Sequence, residues 1–285
     1  MNEFSSSEFP RTLVGGVSLP RLIIGSNWFL GASHTSLAKD KLIKSLMDRK
    51  HIEDILVVFL NAGVDAILRP PSFNPILNEA IDGAEQRTGR KLIRIITPGF
   101  DVAPGKLADF EAERAVEECK KDKATFCLPH QMVTDALLDR RDAVIRDIDV
   151  FTKLIRKYEM IPGLSTHLPE SITFTDAHNY DIETYLQIYN AAGFMMPVEA
   201  DWEMKIIRQA KKPVICIKPM AAGRLLPPVG LAFVWSTIRK QDMVAVGTMT
   251  PDEAQECIDL SLSFINQQVP DIELQKTRSK SILEK

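Results

Sequence analysis

Eight short apolar segments alternate along the chain with stretches that have helical periodicity, and this alternation constrains the fold more than any other feature. The strand-like segments are residues 21–29, 64–68, 91–97, 124–128, 162–166, 184–190, 213–219 and 243–248. They are nearly continuous apolar runs, as expected for parallel strands with both faces covered. Helical stretches lie between them, including residues 40–62, 105–121, 139–159, 199–211, 228–239 and 251–266.

This order of elements predicts a (β/α)8 TIM barrel, because eight strand–helix units fit a chain of 285 residues, slightly longer than the ~250 typical of that fold. The segment TLVGGVSLP predicts a hairpin around Gly15 and Gly16 before the first barrel strand. A doubly wound sheet is the alternative if one strand is miscounted. We find no linker, so we expect one domain over residues 1–285, with 1–10 and 267–285 flexible or peripheral.

Two helix starts are indicated by capping residues. Asn74 precedes Pro75, which suits the first helical position. Thr250 precedes Pro251, and Glu253 is placed to close a capping box. These signals predict helices that begin at residues 75 and 251.

Composition excludes several functional classes. The formal net charge is −3, without the clustered positive charge that nucleic acids or anionic membranes attract. No apolar run approaches the roughly 20 residues of a membrane span, and the first residues lack the pattern of a signal peptide. The four cysteines contain no Cys-x-x-Cys pair, which argues against a disulfide framework or zinc ribbon. We expect a cytoplasmic protein with a small-molecule substrate, and homo-oligomerisation stays open.

Three motifs carry a resemblance to a known family. They are RTLVGGVSLPRLIIGSNWF (11–29), IKPMAAGRL (217–225) and MVAVGTMTPDEAQECI (243–258). Together they resemble the floor-closing hairpin with the first strand, the seventh strand, and the eighth strand with its helix in the aldo-keto reductase superfamily. The resemblance runs from Arg11 to about Phe264 and implies the aldo-keto-reductase-like barrel with its N-terminal hairpin.

The resemblance also implies an active-site tetrad that this chain mostly lacks. Family reductases use Asp, Tyr, Lys and His, and the tyrosine hydroxyl gives a proton to the carbonyl while hydride arrives from NADPH. The first three positions fall on Leu68, Phe73 and Pro98, and His130 alone matches in type. General acid catalysis typically contributes about 10²–10⁴-fold. The chain is therefore identified as a divergent member in which standard carbonyl reduction is not expected.

Polar residues at the carboxyl ends of the strands are the candidate catalytic groups, because barrel active sites lie there. We assign His130 as the acid/base group, with Arg69 and Lys218 neutralising charge on the substrate. A partly desolvated Lys218 could form a Schiff base, but we favour a lysine paired with a carboxylate. An ordinary ion pair is the alternative for Arg69.

The cofactor stays unknown, although the resemblance makes NAD or NADP possible. Ser165 and Gln187 are placed to hold a nicotinamide amide, and Arg224 to contact a cofactor. Acidic residues after the eighth strand, Asp252 and Glu253, disfavour NADP because they would repel its 2′-phosphate. We predict no metal site; the minority alternative is a site of His34, His130 and His167.

Three functions remain in view. The first is a divergent enzyme acting on a small polar or anionic metabolite through His130. The second is an NAD(P)-dependent oxidoreductase that retains only this histidine of the tetrad. The third is a non-catalytic barrel that binds a ligand or a partner.

Overall fold

The structure is a computed structural model that describes residues 8–71, 74–102 and 109–270. Phe73, which occupies the tyrosine position implied by the resemblance, lies outside the described residues. So do parts of both predicted peripheral ends, residues 1–7 and 271–285.

The elements are numbered in chain order. The strands are β1 (Arg11–Val14), β2 (Val17–Pro20), β3 (Leu22–Gly25), β4 (Ala66–Arg69), β5 (Ile93–Ile96), β6 (Phe126–Cys127), β7 (Leu138–Asp139), β8 (Val144–Ile145), β9 (Ile161–Pro162), β10 (Leu164–Thr166), β11 (Tyr185–Ile188), β12 (Val214–Ile217) and β13 (Met243–Val246). The helices are α1 (Leu37–Leu46), α2 (Arg49–Asn61), α3 (Pro75–Thr88), α4 (Asp109–Lys121), α5 (Gln131–Leu137), α6 (Ile148–Lys157), α7 (Glu170–His178), α8 (Ala200–Gln209), α9 (Pro227–Thr237) and α10 (Pro251–Ile265), with a 3₁₀ turn at Ala221–Gly223.

Nine parallel strands form the barrel in the order β10, β11, β12, β13, β3, β4, β5, β6, β9. The two ends of this order are one strand interrupted at Gly163, because β9 pairs with β6 and β10 pairs with β11. A Cβ atom on Gly163 would lie 2.7 Å from the carbonyl oxygen of Thr184, so the close approach of the sheet requires glycine here. The predicted (β/α)8 barrel is confirmed, and the alternative of an open sheet is wrong.

The N-terminal hairpin of β1 and β2 covers one end of the barrel, as predicted. Its turn places Gly15 and Gly16 at φ +53° and +84°, a region that glycine enters without steric cost. Val14 and Leu19 from the hairpin pack with side chains of the barrel interior. The carboxyl ends of the barrel strands consequently lie at the opposite end.

Two layers of side chains hold the barrel. The barrel interior is filled by side chains from alternate positions of the strands. These are Ile23, Ala66, Ile95, Phe126, Leu186, Ile215, Met243 and Ala245. The outer faces of the strands pack against the helices in a larger cluster that includes Leu22, Ile24, Ile67, Tyr185 and Val244. Because both faces are buried, the strands have the continuous apolar character seen in the sequence.

The predicted helix over 40–62 is wrong in one respect, since the chain forms two helices there. Ser36 caps α1 by accepting from the backbone N–H of Lys39, and Asp48 begins α2 by accepting from the N–H of His51. A side chain that satisfies an N-terminal N–H favours a new helix start.

The predicted helix over 139–159 begins only at Ile148. Residues before it form the small hairpin of β7 and β8, where the Asp139 carboxylate accepts from the backbone N–H groups of Arg141 and Asp142. Such local side-chain bonds compete with helix formation. A helix was expected after every strand, but no range was predicted for α5 or α7. Within the described residues, no helix has the length and apolar character needed to cross a bilayer.

Candidate active site at the barrel mouth

A cavity of about 680 Å³ opens at the carboxyl ends of the barrel strands, within the size range of small-molecule sites. We call it the mouth cavity. The chain contributes to it after each of the eight barrel strands. Its ionisable lining groups are His34, Arg69, His130, His167, Lys218, Glu253 and Glu256.

Lys218 follows β12 directly and projects its amine into the mouth cavity. Its backbone has φ +58°, an uncommon conformation for a residue with a side chain. The Nζ atom lies 3.1 Å from Nε2 of His34. Burial lowers the pKa of Lys218 to about 8. The favoured expectation of a lysine paired with a carboxylate is wrong, because no described carboxylate forms an ion pair with it.

His34 lies in the loop between β3 and α1 and faces Lys218. Its Nε2 accepts from Nζ of Lys218 and from Nδ2 of Asn27, both at 3.1 Å. Since both partners are donors, the ring is neutral with its proton on Nδ1. Ser33 anchors the loop by donating its hydroxyl and backbone N–H to Asp40 at 2.6 and 2.8 Å. Burial, then Lys218, lowers the pKa of His34.

His130 follows β6 and forms the N-cap of α5. Its ring Nδ1 accepts from the backbone N–H of Met132 at 3.3 Å, and the backbone N–H of His130 donates to the carbonyl of Pro98 at 2.8 Å. The proton of the neutral ring therefore sits on Nε2. Burial, then the charge of Lys218, lowers the pKa of His130. The group is a neutral hydrogen-bond donor at neutral pH.

His167 follows β10 at the same opening. Its backbone N–H donates to the Asp135 carboxylate, which also accepts from the Thr166 hydroxyl at 2.5 Å. Burial lowers the pKa of His167 to about 4, with smaller effects from Lys218, His130 and His34. Lys218 thus acts electrostatically on all three histidines of the cavity.

The histidines do converge, but around an amine rather than a metal. Across the described ranges, no group of three or more His, Cys, Asp or Glu side chains is arranged to hold a metal ion. His34, His130 and His167 instead share Lys218 as their charged neighbour. An ammonium placed among neutral imidazoles attracts an anion, not a cation.

Arg69 does not direct its guanidinium into the mouth cavity as expected. The side chain is fully buried, and Nη1 donates to the Asp122 carboxylate at 3.3 Å. Asp122 follows α4, which packs outside the barrel, and Arg69 alternates along β4 with the cavity-lining Leu68. The ion-pair alternative describes the structure, and the charge-neutralising role on the substrate lacks geometric support.

The three expected cofactor residues are not brought together. Ser165 lines the mouth cavity, whereas Gln187 is fully buried and its neighbour Leu186 lines the cavity instead. Arg224 donates to the Ala221 carbonyl at 3.1 Å, and its guanidinium lies 3.9 Å from the centre of the Phe194 ring. Arg224 is absent from the cavity lining.

Of the four tetrad positions, the structure describes Leu68, Pro98 and His130. Leu68 lines the cavity, and Pro98 only offers its carbonyl to His130. None of the four tyrosines reaches the cavity. The hydroxyls of Tyr158, Tyr185 and Tyr189 instead donate to Glu113, Asp176 and Thr237.

Two hydroxyls also line the cavity, and the sequence reasoning missed that of Ser26. The side-chain oxygens of Ser26 and Thr248 are buried in the cavity wall with no partner among the described residues. They follow β3 and β13, which are neighbours in the barrel. The signal for Ser26 was hidden because the predicted first strand extended past Gly25 to residue 29. Buried hydroxyls of this kind are normally satisfied, so they favour a polar ligand nearby.

Solved structures share this architecture over nearly the whole chain. A putative aldo-keto reductase from Pseudomonas aeruginosa aligns with a TM-score of 0.65 at 14% identity, covering 93% of this chain and 100% of that one. The chain has the fold of the aldo-keto reductases. An aldo-keto reductase from Klebsiella pneumoniae in complex with NADPH aligns at 0.54 and 14% identity over 96% and 93% of the two chains.

An aldose reductase from Giardia lamblia shows the same relationship, with a TM-score of 0.53, 12% identity and 89% of each chain covered. No family model matches the sequence, and no curated protein matches it. The resemblance that the motifs carry is confirmed at the level of the aldo-keto reductase fold.

The described residues fit a nicotinamide dinucleotide poorly. Of the two residues expected to hold the nicotinamide amide, only Ser165 faces the cavity. The helix after the eighth strand adds two carboxylates to the lining, Glu253 and Glu256, and no cation. Carboxylates at a helix N-terminus oppose the binding of a phosphate there. We therefore derive no step through this cofactor.

Proposed function

We propose that the protein is an enzyme that acts on a small metabolite carrying both an acidic group and a carbonyl. Lys218 would hold the acidic group, and Nε2–H of His130 would donate to the carbonyl oxygen. The observation that carries this proposal is the cavity-lining ammonium of Lys218, which has a neutral imidazole and no carboxylate as its partner.

The charge distribution supports an acidic ligand. A partly buried ammonium without a counter-charge raises the free energy of the folded chain, and an anionic ligand would supply that negative counter-charge. Perturbed groups clustered in one cleft are also typical of catalytic sites. The pKa values of His34, His130 and His167 are lowered in the same cavity, so their neutral rings add donors and acceptors without adding charge.

The shape of the site supports a small substrate with a polar end. Leu68, Leu186, Ile217 and Leu225 provide apolar walls. Hydrogen bonds and ion pairs are stronger in a cavity with such apolar walls than in water. A neutral His130, fixed by the α5 N-terminus, polarises a carbonyl without surrendering its own proton to solvent.

The four cysteines are free and buried, which supports the proposal of a reducing, cytoplasmic setting.

Calorimetric titration with malonate and pyruvate tests this function. Lys218→Met should weaken both affinities about tenfold to a hundredfold, the range of one charge-assisted hydrogen bond. Lys212→Met is the matched control, because Lys212 pairs with Glu183 at 2.9 Å outside the cavity. Equal loss in both variants, or no binding of either acid by the unmodified chain, would contradict the proposal.

A further inference from the structure

We propose that Lys218 forms a covalent imine with the carbonyl carbon of a 2-oxo acid bound in the mouth cavity. This inference rests on the proposed function and deepens it, because it names both the substrate class and the bond that is made. It reverses the preference that the sequence suggested, an ion-paired Lys218.

The placement of the amine is the first support. Among the residues that the structure describes, Lys218 is the one lysine in the lining of the mouth cavity, and its Nζ has a single described partner, Nε2 of His34. The lysines outside the cavity include several held by carboxylates: Lys91 pairs with Glu85 at 2.6 Å and Lys212 with Glu183 at 2.9 Å. A carboxylate holds the ammonium form and removes the nucleophile, whereas a neutral imidazole does not.

Burial in the mouth cavity favours the free amine. His34, His130 and His167 are the titratable neighbours of Lys218 from three loops of the barrel, and burial lowers the pKa of each, so that none adds a charge at neutral pH. Glu253 and Glu256 also line the cavity but form no ion pair with Lys218, and burial lowers the pKa of Lys218 to about 8. About a tenth of the side chains are then neutral at pH 7. Desolvated lysines of this kind are the usual imine-forming residues.

The atoms balance without any further reactant. The ammonium gives one proton to Nε2 of His34, and the free Nζ electron pair attacks the carbonyl carbon, so that the C=O electron pair moves to oxygen. Nζ then loses a second proton, and the oxygen takes up both and leaves as water. A protonated C=N bond remains. The net change is ammonium plus carbonyl giving iminium plus water, with no oxidation or reduction.

The acid group explains why a 2-oxo acid suits this site better than a simple ketone. The iminium retains the positive charge at Nζ, next to the carbon that carries the carboxylate. The attraction between Lys218 and the acid therefore persists through the reaction. Nε2–H of His130 is available to the oxygen while negative charge develops there.

Reductive trapping tests the bond. The full chain is incubated with pyruvate and sodium cyanoborohydride, and tryptic peptides are mapped by mass spectrometry. Trypsin does not cleave before proline, so Lys212 and Lys218 share the peptide 212–224 and fragment ions must locate the label. We expect Lys218 to gain the mass of pyruvate less one water plus two hydrogens, at an occupancy at least about tenfold above Lys212, since the Lys212 ammonium is held by Glu183. Lys218→Met should abolish the adduct. Lys218→Arg should abolish it while keeping malonate affinity, because arginine keeps the charge but is not a nucleophile.

His34 is a positioning residue in this scheme, and it has its own readout. His34→Gly suits the backbone there, which has φ +55°, and removes the proton acceptor of Lys218. We expect slower trapping, unchanged malonate affinity, and recovery of the rate on addition of free imidazole. A purely structural role would not respond to imidazole.

The outcomes separate the two proposals. Adduct at Lys218 supports the imine. Binding of pyruvate and malonate with labelling of Lys218 no greater than that of Lys212 would overturn the imine and leave the acid-binding function standing. Failure to bind either acid would overturn both.

Discussion

Nζ of Lys218 lies 3.1 Å from Nε2 of His34, so that an amine at the end of β12 and an imidazole from the loop after β3 meet across the barrel mouth. Residues 184 positions apart in the chain make this contact. The Lys218 ammonium therefore has an imidazole as its partner and no described carboxylate. Both proposals depend on this arrangement.

The first prediction is that Lys218→Met stabilises the fold at neutral pH. The pKa of Lys218 is lowered to about 8 from the ordinary 10.5, so below pH 8 the folded state carries a disfavoured ammonium. The unfolded state holds more protons between about pH 8 and 10.5, and the stability of the unmodified chain should rise with pH in that window. We expect the variant to gain about 1–3 kcal/mol at pH 7 and to lose this rise. Urea unfolding across pH measures both, and a less stable variant would contradict the prediction.

The second prediction concerns His167. Its pKa is lowered to about 4 from 6.5, so between these values the unfolded state binds a proton that the folded state refuses, and stability rises with pH. His167→Gln should reduce the rise in unfolding free energy between about pH 4 and 6.5 by about 1–3 kcal/mol. It should change the unfolding free energy little above pH 7. His178→Gln, at an exposed position on α7, is the control. Parallel pH curves for the unmodified chain and His167→Gln would rule out the assignment.

The third prediction is that Arg69 stabilises the fold and does not bind the ligand. Arg69→Met removes the buried guanidinium that pairs with Asp122 and should cost about 2–4 kcal/mol of unfolding free energy, because breaking a buried pair is expensive. Malonate affinity should stay unchanged. Arg114→Met, which alters an exposed pair with Glu118 at 4.0 Å, should have almost no effect. A loss of affinity like that of Lys218→Met would return Arg69 to the ligand site.

The fourth prediction concerns Glu203, which is fully buried on α8. Both carboxyl oxygens lack a partner among the described residues, and burial raises the pKa of Glu203 to about 8, with a smaller effect from Glu170. The folded state then retains a proton that the unfolded state releases, so stability falls as pH rises from about 4.5 to 8. Glu203→Gln should remove this fall and add about 1–3 kcal/mol at pH 8. The exposed Glu199→Gln is the control, and an identical pH profile in Glu203→Gln would refute the account.

Much of the fold was predictable because its signals are local. All eight apolar segments became barrel strands, and the expected helix starts after Asn74 and Thr250 are confirmed, with each cap side chain accepting a backbone N–H. Thr250 accepts from the N–H of Glu253, as the capping pattern indicated. Turn and cap chemistry acts over a few residues and is therefore visible in sequence.

The site was less predictable because the two faces of a barrel strand are both buried. Continuous apolar runs conceal which side chains point inward, so the side chains of Arg69 and Gln187 were expected in the cavity. The Arg69 guanidinium is instead buried against Asp122, and Leu186 lines the cavity in place of Gln187. A shift of one residue reverses the face. The approach of His34 and His167 to Lys218 depends on loop geometry and barrel closure, which local patterns do not encode.

The pH dependence of malonate affinity tests the central role of Lys218 most directly. With a pKa of about 8, the amine should bind malonate with constant affinity up to about pH 8 and with roughly tenfold lower affinity for each further pH unit. Lys218→Arg should keep its affinity over the same range because its charge does not titrate there. Equal affinity of the unmodified chain at about pH 7 and pH 10, or the same decline in Lys218→Arg, would contradict the account.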